Sequence, residues 1–266
     1  MAMWRLNQGT SPLVVNVPHA GTLVPDSVSQ HLTLAAQALP DTDWHVERLY
    51  AFARSTGATL MVATHARYVV DLNRDPHGAA LYPGADNTEL CPTRTFGNEP
   101  VYLEGELPDA AEIEARRSTF FAPYHAVLAD EIARVRARHG YVVLLDGHSI
   151  ASRVPRFFSG RLPDMNLGTV DGASCDVSLQ QLAAAIVGGS ERFTHVVNGR
   201  FKGGYITRHY GAPAAGVHAL QLEMTQDAYM DEGPPYAWNP ARAAELARLL
   251  ERLVVSLSEW RPVGRA

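Results

Sequence analysis

The sequence contains very few cysteines and lysines. Only Cys91 and Cys175 are present, and they lie far apart along the chain. Two cysteines exclude both a disulfide framework and a zinc site built from four cysteines, so reduced thiols and a cytoplasmic location are expected. Because Lys202 is the only lysine, nearly all of the 23 basic residues are arginine. A fixed cation that meets a substrate is therefore expected to be a guanidinium.

Long hydrophobic runs and an excess of positive charge are also missing. No apolar stretch approaches the roughly 20 residues that a helix needs to cross a bilayer, and the first residues lack the pattern of a signal peptide. The formal net charge is -5, whereas nucleic-acid-binding proteins usually carry a basic excess. Repeats and linkers are not evident in the 266 residues, so one globular domain over residues 1–266 is expected, with no membrane or nucleic-acid partner.

Three common catalytic motifs are absent as well. The chain has no G-x-S-x-G sequence, no G-x-x-x-x-G-K-[ST] sequence and no H-E-x-x-H sequence. These absences argue against an α/β-hydrolase serine mechanism, a P-loop and a zincin-type metal site. A catalytic role must therefore rest on other residues.

Short apolar runs alternate with longer helical patterns, which favours an α/β layered fold. Strands are predicted at residues 13–17, 59–63, 68–71, 141–145 and 219–224. Helices are predicted at residues 43–56, at 113–139, around 179–186 and from Asn239 onward, because apolar residues recur there at helical spacing. The segment 81–108 is rich in Gly and Pro and lacks periodicity, so we predict a long loop, of the kind that often covers a binding site.

Two histidines come directly after predicted strands. His19 follows the strand 13–17, and His148 follows the strand 141–145. Binding sites in open α/β sheets form beyond the carboxyl ends of the strands, so the two imidazoles could converge on one metal ion, as zinc ligands do. A histidine at the end of a strand can equally be a hydrogen-bonded structural residue, and the spacing leaves both interpretations open.

A third ligand would have to come from an acidic residue. Asp43, at the start of the first long predicted helix, is the candidate. An aspartate at this position can instead cap the helix or interact with its dipole. Imidazole and carboxylate ligands suit zinc, and they also accept manganese, iron, cobalt or nickel. We therefore predict a site for one divalent metal ion, with zinc as the expected ion.

Glu223 interrupts an otherwise apolar strand pattern. Beside an activated water it would act as a general base. On an edge strand it would simply face the solvent, and the sequence does not decide between these two interpretations.

Two arginine-containing segments could bind an anion. Asn73 and Arg74 follow the predicted strand 68–71, and a guanidinium there could hold a carboxylate through two hydrogen bonds. Arg208 lies in a second cationic segment. The alternatives are a surface ion pair in the first case and an exposed loop in the second.

Six short motifs occur in one order along the chain and together resemble a known family. They are Pro-His-Ala-Gly at 18–21, Asp-Thr-Asp-Trp at 41–44, Val-Asp-Leu-Asn-Arg at 70–74, Asp-Gly-His-Ser at 146–149, Gly-Tyr-Ile-Thr-Arg-His-Tyr-Gly at 204–211 and Gln-Leu-Glu at 221–223. From about residue 13 to residue 224, the chain closely resembles the N-formylglutamate amidohydrolase family. Each motif alone is weak, and the six in order make a specific match.

The resemblance implies a fold and a metal centre. That family is related to zinc carboxypeptidases and aspartoacylases, which implies a phosphorylase/hydrolase-like, three-layer α/β/α sandwich with a mixed central sheet. Those relatives place a ligating glutamate three residues after the first histidine, whereas here Thr22 stands three residues after His19. The carboxylate ligand is therefore expected from Asp43, with Asp41 as its rival, beside His19 and His148.

The resemblance also implies the reaction. It is hydrolysis of N-formyl-L-glutamate to L-glutamate and formate in histidine breakdown, with zinc activating water and Glu223 moving its proton. The substrate is a dicarboxylate, so Arg74 and Arg208 are expected to hold it, with Asn73 assisting. A related zinc deacylase or amidohydrolase acting on another N-acyl amino acid would carry the same motifs. A binding protein without turnover is a further alternative, which Glu223 argues against because binding needs no base.

Overall fold

A mixed seven-stranded sheet runs through the centre of the computed structural model, which describes residues 2–81 and 83–262. The strands are β1 (Trp4–Asn7), β2 (Leu13–Val17), β3 (Thr59–Ala63), β4 (Val142–Ile150), β5 (Met165–Gly168), β6 (His195–Val197) and β7 (Val217–Thr225). They lie side by side in the order β1-β3-β2-β4-β7-β5-β6. The central strands β3, β2, β4 and β7 are parallel, whereas β1 and β5 are antiparallel to their neighbours β3 and β7.

Helices cover both faces of this sheet. The α-helices are α1 (Asp26–Ser29), α2 (Leu34–Gln37), α3 (Val46–Leu49), α4 (Ala110–Arg116), α5 (Ala122–His139), α6 (Val177–Gly188), α7 (Tyr205–Tyr210) and α8 (Pro240–Glu259). A π-helical turn (Arg117–Phe121) joins α4 to α5, and 3₁₀ turns lie at Ala51–Thr56, Pro213–Ala215 and Gln226–Ala228. Within the described residues, no helix is both long and apolar enough to span a membrane.

The two faces of the sheet are buried against different helices because side chains alternate along each strand. On β2, Leu13, Val15 and Val17 belong to the apolar core shared with α6 and α8. Val14, between them in sequence, belongs to the core shared with α5. Helices on both faces of a mixed sheet confirm the predicted α/β fold, and the two separate cores show its three layers.

Toward the carboxyl ends of the central strands, the face that packs against α5 becomes polar. The alternation places Asn16 on this face of β2, Asp146 and His148 on this face of β4, and Gln221 and Glu223 on this face of β7. All five side chains are buried. The polar residues that interrupt apolar runs in the sequence therefore meet at one place, at the carboxyl edge where ligands bind in such sheets.

Several predicted elements are confirmed. Strands form at 13–17 and 59–63 with the predicted bounds, and the segment 81–108 has no helix or strand of its own among its described residues. The predicted helix 113–139 is α4, the π turn and α5, and it ends at Gly140, whose φ of 79° is the left-handed conformation of a helix C-cap. The last helix begins at Pro240, where the Asn239 side chain accepts a hydrogen bond from the backbone N–H of Arg242.

Other predictions are wrong in their bounds or their type. Residues 68–71 form a turn instead of a strand, and their apolar side chains are buried without strand pairing. The predicted strand 141–145 continues to Ile150, so His148 lies within β4 and not after it. The predicted helix 43–56 begins only at Val46, because His45 before it adopts a left-handed φ of 63°, which a helix does not continue through.

Candidate active site

Three buried side chains converge at the carboxyl ends of β2 and β4. His19, Asp43 and His148 each offer one ligand atom, and these atoms lie within 4.8 Å of one another. Nδ1 of His148 lies 3.1 Å from Oδ2 of Asp43, and Nδ1 of His19 lies 3.9 Å from the same oxygen. Two imidazole nitrogens and a carboxylate oxygen form a donor set that suits a catalytic zinc ion, which needs three protein ligands and an open position for water.

Each histidine of this trio is oriented by a second aspartate behind it. Nε2 of His19 lies 2.8 Å from Oδ1 of Asp71, and Nε2 of His148 lies 2.9 Å from Oδ2 of Asp146. Because a carboxylate can only accept, each Nε2 carries a proton toward its aspartate, which leaves Nδ1 as the ring atom that faces Asp43 and that would bind a metal ion. Carboxylates behind ligating histidines orient metal sites in this way.

The orienting aspartates are themselves held in place. Asp71 accepts a 2.6 Å hydrogen bond from Nη2 of Arg67, and Asp146 accepts a 2.9 Å hydrogen bond from Nδ2 of Asn16. Burial acts to raise the pKa of Asp71, but the guanidinium groups of Arg67 and Arg74 outweigh it and hold that pKa well below its ordinary value. Asp71 is therefore ionised and available as an acceptor for the histidine.

The two histidines of the trio sit in different electrostatic surroundings. Burial, and then the charge of Arg67, lower the pKa of His19 against the opposing influence of Asp71. Burial also acts to lower the pKa of His148, but Asp146 and Asp43 outweigh it and raise that pKa well above its ordinary value. The carboxylates around His148 thus stabilise positive charge at this point.

Asp41, the rival of Asp43, has other partners. Its Oδ2 accepts hydrogen bonds from the hydroxyl of Tyr68 at 2.7 Å and from the backbone N–H of Phe96 at 2.9 Å. Asp41 therefore anchors the loop 81–108 at Phe96. The geometry places Asp43, and not Asp41, with the two histidines.

A cavity of about 80 Å³ opens onto the trio. Its walls carry Glu223 and three arginines, Arg67, Arg74 and Arg200. The loop 81–108 supplies one wall through Leu81, Asp86, Asn87, Thr88 and Phe96, in agreement with the prediction that this loop covers a site. A cavity of this size with several cations and a carboxylate suits a small anionic molecule.

Glu223 faces this cavity from a central strand. β7 lies between β4 and β5, and Glu223 pairs in register with His148 on β4, so the alternative of a solvent-facing residue on an edge strand is wrong. Burial raises the pKa of the Glu223 carboxyl to about 8, with His148 acting in the opposite direction. A carboxylate with a raised pKa in a cavity beside a candidate metal centre is typical of a general base.

The structure brings Arg74 to the cavity but not Arg208. Nε of Arg74 donates to Oγ1 of Thr88 at 2.9 Å, which attaches the arginine to the covering loop. Arg208 is exposed and is not among the described residues that line the cavity. The physical reason is that its segment is the helix α7, which buries Ile206 and Thr207 and leaves Arg208 on the solvent side.

The side-chain amide of Asn73 is bound to the protein itself. Its Oδ1 accepts the backbone N–H of Ile206 at 2.8 Å, so its Nδ2 is the atom that lies 3.0 Å from Nε2 of His148 and 3.4 Å from Oδ2 of Asp146. A Cβ on Gly204 would lie 2.3 Å from this amide, so only glycine fits there. Asn73 thus donates to Asp146, the aspartate that orients His148, and its role in substrate binding stays a prediction.

Sequence reasoning missed five residues that the structure places at the site. They are Arg67, Asp71, Asp146, Arg200 and Gln221. A signal existed for Asp146, because a residue two positions before His148 on the same strand shares its face. Asp71 stood beside Asn73 in a motif, but a turn has no periodicity from which its direction could be read. Arg67 and Arg200 have no local signal.

Comparisons with known proteins identify the family. The family model of N-formylglutamate amidohydrolase matches residues 11–230. The chain is 46% identical over 253 residues to an N-formylglutamate deformylase of Pseudomonas aeruginosa, with 95% of each chain covered. It is 43% identical over 254 residues to an N-formylglutamate deformylase of Pseudomonas putida, with 96% of this chain and 95% of that protein covered.

Solved structures share the fold. The crystal structure of an N-formylglutamate amidohydrolase from Ralstonia eutropha superposes with a TM-score of 0.83 at 28% identity, and the match covers 97% of this chain and 98% of that chain. A structure from Agrobacterium tumefaciens has a TM-score of 0.73 at 20% identity over 97% of this chain and 95% of that chain, which shows a common fold. With a family match over most of its length and relatives above 40% identity, the chain belongs to the N-formylglutamate amidohydrolase family.

Proposed function

We propose that the protein hydrolyses N-formyl-L-glutamate to L-glutamate and formate with one divalent metal ion held by His19, Asp43 and His148. The observation that carries this proposal is the convergence of three ligand atoms within 4.8 Å in the same cavity as Glu223. Relatives named N-formylglutamate deformylases support the substrate. Zinc is the expected ion because of its preference for imidazole and carboxylate ligands. A place in histidine breakdown belongs to the same proposal.

The reaction has to overcome a poor electrophile and a poor nucleophile, since a formamide carbonyl reacts slowly with neutral water. A divalent ion held by the trio supplies Lewis acidity, which makes water a nucleophile near neutral pH and polarises the carbonyl group. The protein has to place the substrate and move a proton. Glu223 accepts the proton of the attacking water and then gives it to the amine nitrogen as the C–N bond breaks.

The ionisation of Glu223 suits this role. Its burial raises the pKa of the carboxyl to about 8, and a positive charge nearby lowers such a pKa. Cation binding therefore favours the ionised carboxylate that a base requires, while burial keeps the group basic enough to take a proton.

Arg67 is placed to meet the charge that develops on the carbonyl oxygen. It lines the cavity, and its guanidinium is fixed by Asp71 and by the Phe96 ring, whose centroid lies 4.6 Å away. Because Arg67 lines the cavity and is held in place there, we assign its guanidinium to the substrate oxygen, where such a donor stabilises a transition state.

The two carboxylates of the substrate require two cationic partners, and the cavity offers Arg74 and Arg200. Arg200→Ala is expected to raise KM by roughly 10- to 100-fold, because a charge-assisted hydrogen bond contributes about 1.5–3 kcal/mol. Arg208→Ala, which removes an exposed arginine, is the matched control and should leave KM unchanged. Steady-state kinetics of formate release measure both, and the reverse ranking of the two variants would restore Arg208 as the carboxylate partner.

The substrate is tested with three N-acylated glutamates. Formate release from N-formyl-L-glutamate is expected, and kcat/KM for the N-acetyl compound should be roughly 10- to 200-fold lower, because a pocket shaped for a formyl hydrogen rejects an added methyl group. N-formimino-L-glutamate, which replaces the carbonyl oxygen by nitrogen, is the third compound. A higher kcat/KM for the N-acetyl or N-formimino compound would identify the protein as a deacylase or amidohydrolase for that substrate instead.

A further inference from the structure

Gln221 is a buried polar residue that has no role in the reaction proposed above. It lies on β7 two residues before Glu223, so both side chains are on the face that packs against α5. Its side chain is only 4% exposed and lines the cavity. A buried side-chain amide is costly unless its hydrogen bonds are made, so its partners indicate what it does.

The orientation of the Gln221 amide is set by its partners. Oε1 accepts the backbone N–H of Gly204 at 2.6 Å, and a backbone N–H can only donate. The NH₂ group therefore has to be on the other side, where Nε2 lies 3.2 Å from Oε2 of Glu223. The amide cannot turn over without placing its NH₂ against the N–H of Gly204.

This contact distinguishes the two oxygens of Glu223. Among the described residues, Gln221 is the only one that hydrogen-bonds the Glu223 carboxylate, and it does so at Oε2. Oε1 has no such partner in the described part of the chain. One oxygen is thus held by the protein, and the other is left for water.

We propose that Gln221 is a positioning residue that holds Oε2 of Glu223 and thereby directs Oε1 at the attacking water, so that Oε1 is the atom that carries the proton. This inference rests on the proposed function, because it assigns an atom to the base of that reaction. Gln221 does not touch the reacting atoms. It acts through the carboxylate, because a general base is effective only when its geometry is maintained.

Gln221 has a second hydrogen bond, and its effect has to be separated from the first. Gly204 lies at the N-terminus of α7, and the N–H of Ile206 in that helix holds Asn73. Loss of the hydrogen bond to Gly204 would therefore disturb the site by displacing α7 and, with it, Asn73. This route would change the position of His148 and the substrate cleft, whereas the route through Glu223 would change only proton transfer.

Two variants separate the two routes. Gln221→Leu removes both hydrogen bonds, and Gln221→Met, whose thioether sulfur is a weak acceptor without a proton, keeps an acceptor for the N–H of Gly204 but loses the donor to Glu223. Both variants are expected to lower kcat roughly 10- to 100-fold with KM within about 2-fold of wild type, because displaced catalytic groups cost about this much. Gln180→Leu on α6, which removes a half-buried glutamine that is not among the described residues lining the cavity, is the control and should retain wild-type kcat.

A wild-type kcat for Gln221→Met would overturn the proposal, and so would a rise in KM without a fall in kcat for Gln221→Leu. The decisive measurement repeats Gln221→Leu in a Glu223→Gln background. No further loss of the residual rate is expected there, because the effect passes through the missing carboxylate, whereas equal losses in both backgrounds would indicate a structural role. If Glu223→Gln by itself keeps wild-type activity, it is the proposed function that fails and not the assignment of Gln221.

Discussion

Glu223→Gln is expected to lower kcat by roughly 10²- to 10⁴-fold, the range that general acid–base catalysis contributes. The amide has almost the same shape as the carboxylate but cannot accept the proton of water at neutral pH. KM should change little, because Glu223 moves a proton and does not hold the substrate. Formate release from N-formyl-L-glutamate under saturating conditions measures the effect.

The control for Glu223→Gln is a second buried glutamate. Glu131 on α5 is 3% exposed and is paired with Arg134 at 2.8 Å, and it lies outside the cavity. Glu131→Gln should retain the wild-type kcat even if the protein becomes less stable, which thermal unfolding would report. A Glu223→Gln protein that turns over at a rate close to wild type would show that the proton is moved by another group.

Removing divalent metal ions with a chelator is expected to abolish formate release, and adding zinc should restore it. The trio supplies two nitrogens and one carboxylate oxygen within 4.8 Å, and in the proposed reaction no group of the chain replaces the Lewis acidity of the ion. The measurement pairs the rate with the zinc content per chain. Full activity in protein shown to be free of divalent metals would contradict the proposed metal centre.

Substitutions of the metal-binding residues test the same metal centre by the amount of bound zinc, which does not depend on activity. His19→Ala, Asp43→Ala and His148→Ala should each lose bound zinc, whereas Asp41→Asn should keep it, because the Asp41 carboxylate is occupied by Tyr68 and Phe96. Asp146→Asn should weaken zinc affinity by roughly 10- to 100-fold, since it orients His148 from behind. Zinc retained by Asp43→Ala but lost by Asp41→Asn would exchange the roles of the two aspartates.

The central strands could be predicted because they are buried on both faces and read as continuous apolar runs. This holds for the strands at residues 13–17 and 59–63. The helix α8 could be predicted for a different reason, because it has a capping residue and a long apolar stripe. The short elements β1, β5, β6 and α7 span only three to six residues, too few for a periodic signal. Residues 68–71 have the apolar pattern of a strand, but they are buried beneath other segments in a turn.

Residues of the candidate site could be predicted where the residue type itself suits a metal ligand or a general base. His19, His148 and Glu223 could be named because imidazole and carboxyl side chains stand out at the ends or in the middle of apolar strands, and Asp43 could be named because it starts a predicted helix within a family motif. The partners behind them, such as Asp71, were not assigned, because hydrogen bonds between residues far apart in sequence leave no local pattern.

The sequence by itself therefore determined the layered α/β architecture, the family and the residues that converge near Asp43. Only the tertiary structure decided that Asp41 anchors a loop, that Asn73 donates to Asp146 behind His148, and that Arg200 lines the cavity while Arg208 is exposed. The physical reason is that residue type and apolar periodicity are local properties of the chain. The direction of a long polar side chain depends instead on which segments pack around it, and that packing is settled only when the whole sheet has formed.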